Sequence, residues 1–592
     1  MRKILLPVLF AAVFLQLNAQ INNDLPRFPS EEEKQLQKVA VPTSPIGITN
    51  PPTVPVRSMA EWEELQALVI TWRSQPAILA EIVRAAREEC RVVIACNTNN
   101  DVTSATNYLI GKGVDLSSNV EFVVAPSNSI WVRDYGPNSV YANAVDSLYF
   151  IDWRYNRTTR PKDDTIATTL APYFGVPLYS TSQAPTDLVH TGGNFMSDGS
   201  GTAFSSSLIL NENELGNPYG VSVKTEAEIN QIMVNFMGIG RYIKMDPLPY
   251  DVINHIDMHM KLLDEETLLV GEYPEGVADG PQIEANIQYV LSNFTSVFGT
   301  PYKVIRIPMP PDANNAYPNT NGDYRTYANA VFVNKTVIVP FYEYQYDTTA
   351  QRIWEESLPG YNIVGVDCNS IIPSLGAIHC ITKEVGVAEP LRIVHQEIQG
   401  CLFNTDYPEG YPVWATIQHR SGIAEARVYF SIFANGPWSS VELLPYNLDD
   451  TVWNYKGYIP LQSPGEDVYY YIQSTANDGK VITRPLPGPD GPWSFCASEY
   501  VGTQEVPDAS MLSIYPNPAS AITCIPVEST DATDGTLSLI NTLGQTVQTI
   551  HQGKIPSGKN NYFFDAGKLP SGTYFVELRT GNKRTVKKVM VH

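Results

Sequence analysis

Helical periodicity stops near Pro390 and does not return, and that boundary constrains the fold more than any other feature of the chain. Upstream of it, from Val56, short apolar runs alternate with amphipathic stretches. Residues 68–71, 91–95 and 120–124 read as buried strands. Ser74 is placed to cap a helix with Pro76 in its first turn, and Ile78, Leu79, Ile82, Val83 and Ala86 line one face of it. A second helix starts near Val102 and is stopped by Gly111 and Gly113. Short elements of this kind recur to about residue 390 without a fixed sequence period. Downstream, residues 413–418, 426–433 and 468–474 alternate with period two, and Asn435-Gly436 and Asn477-Asp478-Gly479 supply turns. The pattern predicts an α/β domain over 56–390, a β-sandwich of immunoglobulin type over 391–498, a linker at 499–511 and a small all-β unit over 512–592.

A single core cannot serve 592 residues. The formal net charge of −22 argues against nucleic acid and anionic membrane as partners. Met1-Arg2-Lys3, an apolar run to Leu17 and a small residue, Ala19, before Gln20 form a secretory signal peptide over 1–19. No other apolar stretch approaches the length of a membrane span. Residues 20–55 are polar and Pro-rich and read as an extended leader or propeptide that does not pack. The seven cysteines include no C-x-x-C pair, and no His cluster has metal spacing, so zinc is not expected. No glycine-rich phosphate loop opens a helix, which leaves nucleotide binding without support. Cys401 and Cys496 flank the predicted sandwich and are candidates to pair.

Chemistry centres on Cys380, in Ile378-His379-Cys380-Ile381-Thr382. A thiol can serve as a nucleophile or as a small buried hydrophobe. Three upstream stretches, 131–137, 254–259 and 327–334, place acids, a histidine and an asparagine where strands end in turns. Asp134 has a structural alternative as the partner of Arg133, His255 as a core histidine, and Asn329 as a turn residue. An extended His255-Ile256-Asp257 would point its first and third side chains into one cavity. A cysteine protease needs Cys, His and one orienting group. Two carboxylates beside a thiol suit a planar cation instead, because a guanidinium offers a fork of donors that matches carboxylates.

The ordered set Trp131-Val132-Arg133-Asp134-Tyr135-Gly136-Pro137, T-G-G-N-F-M-S-D-G over 191–199, Asn254-His255-Ile256-Asp257, Y-A-N-A-V-F-V-N over 327–334 and I-H-C-I-T-K-E-V over 378–385 resembles the guanidino-group-modifying enzymes. It is most similar to the Porphyromonas-type peptidylarginine deiminases and their agmatine deiminase relatives. The resemblance implies a pentein-type β/α-propeller and no metal or organic cofactor. It also implies roles: Cys380 as nucleophile, His255 as acid and then base, Asp134 and Asp257 holding the guanidinium, Asn329 orienting the reacting groups, and Trp131 against the substrate's methylenes. The final unit, with Tyr515-Pro516-Asn517-Pro518 near its start and Gly572-Thr573-Tyr574-Phe575-Val576 near its end, resembles a type IX secretion sorting domain. That resemblance implies passage through the periplasm, the type IX machinery as partner, and release or surface anchoring.

In the peptidylarginine members two arginines after Y-N grip the carboxylate of a C-terminal arginine. Here Arg157 is in place and Arg160 comes one residue late. Thr191 before the two glycines is also like those members. The expected substrates are therefore arginine-containing peptides or proteins, with C-terminal arginine first. Agmatine or free arginine is the alternative, and a non-catalytic surface adhesin is a third reading.

Overall fold

The computed structural model describes residues 25–36, 47–446, 453–499, 509–581 and 583–591. The expected signal peptide lies outside the described residues, as does most of the 499–511 linker.

Between Val56 and Gly386 the chain builds five small sheets, and each repeats one plan. A short strand pairs antiparallel with a second strand, a helix crosses over, and a third strand returns parallel to the second. In one unit Met260–Leu262 lies antiparallel to Thr267–Glu272, the helix Gly280–Asn293 follows, and Lys303–Pro308 returns in parallel. Val331–Val333, Thr336–Phe341, Tyr344–Ser357 and Asn362–Asp367 repeat it. So do Met196–Ser197, Thr202–Ser206, Glu226–Met237 and Arg241–Met245, and Asn138–Ala142, Ser147–Asp152, Ile166–Phe174 and Leu178–Ser180. The fifth unit is completed by both ends of the region. Lys383–Gly386 pairs antiparallel with Leu65–Thr71, which runs parallel to Arg91–Cys96.

The second and third strands are apolar on both faces because helices cover one side and the shared core the other. Leu68, Val69, Ile70, Val92, Val93 and Ile94 have no exposed surface. Pro76–Ala86 buries Ile78, Leu79, Ile82, Val83 and Ala86, the face expected from its spacing. Its start differs from expectation. Gln75, in a left-handed conformation with φ 53°, takes the cap position, and Ser74 makes no cap. The next helix, Asn99–Gly111, starts three residues earlier than its apolar pattern indicates, because Thr98 caps it by accepting from the Asp101 amide at 3.2 Å.

Beyond residue 390 the described residues are almost wholly β, apart from short 3-10 turns. Two sheets enclose one core that includes Tyr411, Val413, Val428, Tyr470 and Ile472. Tyr411–Gln418 alternates strictly between buried and half-buried positions, as a strand with one face on a core requires. Arg392 donates to the carbonyl of Gly199 and Ser200 Oγ at 2.7 Å each, and Arg484 pairs with Glu265 at 2.9 Å. These bonds seat this unit on the α/β region. Two further sheets over 509–591 surround a separate core. No helix among the described residues is long and apolar enough to cross a membrane.

The leader corrects one expectation outright. Residues 25–36 do pack: Arg27 is completely buried, Phe28 lies against the main core, and Glu31–Leu36 is helical. Ser30 and Glu33 start that helix reciprocally. The Glu33 amide donates to Ser30 Oγ at 3.2 Å, and the Ser30 amide donates to Glu33 Oε2 at 2.9 Å.

Cys401 and Cys496 face each other across the parallel pair Cys401–Phe403 and Trp493–Ser498 and are disulfide-bonded. Replacing both by serine removes a cross-link spanning 95 residues. It should lower the stability of this unit by about 2–4 kcal/mol, read as an earlier denaturant midpoint. An unchanged midpoint would show that the cross-link contributes nothing.

Candidate active site

Five of the expected site residues, Asp134, His255, Asp257, Asn329 and Cys380, share one topological position. Asp134 precedes the first strand of its unit, Asn138–Ala142, and the Gly192-Gly193 pair precedes Met196–Ser197. His255 and Asp257 precede Met260–Leu262, Asn329 precedes Val331–Val333, and Cys380 precedes Lys383–Gly386. Each unit therefore delivers its functional residue on the turn that enters its first strand. Several of these turns are short helical ones: Val132–Tyr135, Gly192–Asn194, Ile256–Met258 and His379–Ile381. This corrects the local geometry expected at His255-Ile256-Asp257. Only His255 is extended there, and Asp257 reaches the cavity from a 3-10 turn.

The turns converge on the guanidinium of Arg27. Its Nε donates to Asp134 Oδ2 at 2.9 Å and its Nη2 to Asp134 Oδ1 at 2.8 Å, a two-pronged grip. Nη1 and Nη2 each donate to Asp257 at 3.1 Å. Nη1 lies 2.6 Å from Cys380 Sγ. Asp134, Asp257, His255 and Cys380 are all buried. Burial pushes both carboxyl groups up, but the Arg27 guanidinium outweighs it and holds them below the usual carboxylate range; at Asp257 the hydrogen bond from His379 adds to this. Burial pushes the Cys380 thiol up, and the Arg27 charge only partly offsets that. Burial, followed by the nearby Arg27 charge, pushes His255 down to about 3, so its ring is neutral at physiological pH.

His255 Nε2 is 3.0 Å from Thr191 Oγ1, and its Nδ1, 3.5 Å from Asp134 Oδ1, has no hydrogen-bond partner among the described residues. Asn329 ties three turns together. Its Nδ2 donates to the Asp257 carbonyl at 3.0 Å, and its Oδ1 accepts from the His379 amide at 3.1 Å and from Cys380 Sγ at 3.3 Å. Gly193 leaves room for the cation, since a Cβ there would come within 1.8 Å of Arg27 Nη2. Its amide donates to Asp134 Oδ1 at 3.2 Å. Arg133, the structural alternative as partner for Asp134, is committed instead to Glu384 at 2.6 Å.

The remaining candidates meet the main chain of the leader. Trp131 Nε1 donates to the Leu25 carbonyl at 2.8 Å. Arg157 donates to the Arg27 carbonyl from Nε at 3.1 Å and Nη2 at 2.9 Å. Arg160, despite its late position, is fully buried and donates to the carbonyls of Pro26 and Phe28 at 2.7 and 3.2 Å. It also pairs with both oxygens of Glu33 at 2.7 Å.

Sequence reasoning missed His379, which bridges Asp257 at 2.9 Å and Glu61 at 3.0 Å. The only signal for it is adjacency to Cys380. It also missed Arg27 and Glu33, although Ser30-Glu31-Glu32-Glu33 is a readable capping box. Glu61, His379 and Glu384 bring carboxylate and imidazole atoms close together, but these already pair with each other, with Lys261 and with Arg133.

A buried pair of carboxylates that grips a guanidinium beside a thiol defines a guanidine-modifying site. A family profile described as Porphyromonas-type peptidyl-arginine deiminase matches residues 57–385, and one described as a secretion system C-terminal sorting domain matches 513–592. The chain belongs to the Porphyromonas-type peptidyl-arginine deiminase family, whose members are deiminase hydrolases acting on the C–N bonds of amidines. A protein of Yersinia pseudotuberculosis, provisionally named an agmatine deiminase, is 25% identical over 360 residues, covering 56% of this chain and 95% of its own length. One of Legionella pneumophila with the same provisional name is 26% identical over 320 residues, covering 52% of this chain and 84% of its own. A solved structure, also titled provisionally as an agmatine deiminase, shares the fold with a TM-score of 0.51 at 21% identity, over 58% of this chain and all of that one. The sorting domain points to secretion or attachment at the cell surface.

The Glu33–Arg160 pair makes seating of the leader pH-dependent. Burial alone would raise Glu33, but Arg160 brings it from 4.5 down to about 2. The stabilisation is therefore complete above about 4.5 and is lost as pH falls through about 2. Protection of residues 25–36 against hydrogen exchange, corrected for the intrinsic rate, should hold above that window and fall within it. Constant protection across the window would refute a contribution from this pair.

Proposed function

We propose that the chain is an exported deiminase that converts the guanidinium of peptidyl arginine to the ureido group of citrulline, with release of ammonia. The observation that carries this reading is the grip on Arg27, an arginine within a polypeptide, at both its guanidinium and its main chain. Ser374 accepts from the Arg27 amide at 2.9 Å, and Arg157 donates twice to its carbonyl. Agmatine has no such carbonyl and no residues on either side. A C-terminal carboxylate would suit Arg157 equally well on charge. The names of the curated relatives favour agmatine as the competing substrate.

In this reading Cys380 Sγ adds to the guanidinium carbon. The carbon–nitrogen bond then breaks, leaving a thiouronium intermediate. His255, neutral before reaction, takes the thiol's proton and passes it to the departing nitrogen. It next removes a proton from the water that attacks the thiouronium carbon. Collapse returns the thiol and leaves the ureido product. Asp134 and Asp257 keep the guanidinium planar and oriented, and Asn329 holds the Cys380 and Asp257 turns in register. No step calls for a metal or an organic cofactor.

The scaffold fits the same reading. We take the five repeated units over 56–390 as the blades of a pentein propeller, 391–498 as an immunoglobulin-like sandwich, and 512–592 as the signal for type IX export through the periplasm.

Incubation with agmatine, free arginine and peptides carrying internal or C-terminal arginine, with ureido product and ammonia as readouts, tests the assignment. Peptides should be turned over best. Turnover of agmatine alone would sink the peptide reading, and no turnover of any, either by the intact chain or by its Arg27→Ala variant, would sink the enzyme reading. Cys380→Ala should abolish turnover, and His255→Gln should lower it by roughly 10²–10⁴-fold. Arg157→Ala should impair peptide substrates far more than agmatine, and equal losses would remove the main-chain role of Arg157.

A further inference from the structure

Residues 25–36 lie upstream of the region matched by the family profile, which begins at residue 57. They are nevertheless densely bonded to the α/β region. Each carbonyl from Leu25 to Phe28 accepts a hydrogen bond from Trp131, Arg157 or Arg160. The Arg27 amide is also used, and its guanidinium fills the space between Asp134, Asp257 and Cys380.

A second anchor lies six residues on. Arg160 grips Glu33 with two donors, Thr159 Oγ1 donates to Glu33 Oε1 at 2.8 Å, and the capping box fixes the Glu33 side chain against its own helix. Arg160 has no exposed surface. An arginine buried this fully is costly unless paired, and Glu33 is its carboxylate partner. Arg160 and Thr159 thus form a carboxylate subsite beside the guanidinium cage, and the leader fills both at once.

We propose that residues 25–36 are a tethered occupant of the active site. Arg27 is the cationic plug and Glu33, in the Arg160–Thr159 subsite, is the latch, so the chain is latent until this segment leaves. The inference rests on reading the cage as the deiminase site. An occupant on the same chain competes at a high effective concentration without forming a new covalent bond. An external arginine must displace two ion-paired anchors together, whereas loss of either anchor weakens both. The same subsite gives the freed enzyme a preference for peptides with an acidic residue about six positions after the arginine.

The test uses full-length protein and two readouts. Binding of N-acetyl-arginine N-methylamide is measured by calorimetry in a Cys380→Ala background, and KM for an internal-arginine peptide is measured with Cys380 intact. Arg27→Ala should tighten binding and lower KM by at least about tenfold relative to the unaltered leader. Glu33→Gln, which keeps Arg27 and its cage, should produce a smaller change in the same direction. Equal affinities and KM values across all three proteins would overturn the proposal. So would recovery of Arg27 as citrulline in the folded unaltered chain, since the segment would then be consumed and not resident. Tighter binding in both variants without turnover of any guanidine would leave the latch standing and refute the deiminase reading instead.

Discussion

Two carboxylates buried side by side require a cation, and the catalytic region is arranged around that requirement. Asp134 and Asp257 arrive from different units and have almost no exposed side-chain surface. Their mutual repulsion and loss of hydration make the empty cage unfavourable; leaving a buried charge without its partner costs on the order of 3–5 kcal/mol. A planar guanidinium relieves both terms through four hydrogen bonds in a fixed geometry. The thiol benefits from the same cation, because a nearby positive charge favours the thiolate. The cation that satisfies the two carboxylates thus also offsets part of the burial that raises the Cys380 thiol. The glycine at 193 completes the arrangement by leaving space where any side chain would collide with the guanidinium.

Much of this was legible in the sequence, but unevenly. Cys380, His255, Asp134, Asp257 and Asn329 stand out because charged or polar residues at the ends of apolar strands are expensive unless they have partners. What brings them together was not legible in the periodicity. Each belongs to a repeated unit, but loops of differing length hide the period, and only the strand pairing reveals it. Ser74 looked like a helix cap and Gln75 took that place; a left-handed residue before Pro76 is a backbone property that residue type signals weakly. His379 carried no signal beyond adjacency, since its role depends on Glu61, more than 300 residues away.

The leader shows a different limit. A polar, Pro-rich stretch has too little apolar surface to order itself, and composition alone reads it as unpacked. Here order comes from outside the segment. Arg27, Glu33 and four successive carbonyls are bound by groups already fixed in the scaffold. The same pairing explains Arg160, whose shifted position brings its buried guanidinium to a carboxylate on its own chain.

The pairing of Lys383–Gly386 with Leu65–Thr71 also bears on when the enzyme comes into being. Cys380 sits on the turn just before Lys383–Gly386, the last strand of the five units, and that strand must dock against one made some 300 residues earlier. During synthesis Asp134, His255, Asp257 and Asn329 emerge first, and a chain made only as far as residue 378 lacks both His379 and the sulfur of Cys380. Pairing of strands that far apart in sequence is slow, because the loop between them must first be closed. Chemistry therefore waits on the pairing that joins Lys383–Gly386 to Leu65–Thr71, and a translation product interrupted before residue 380 lacks its thiol.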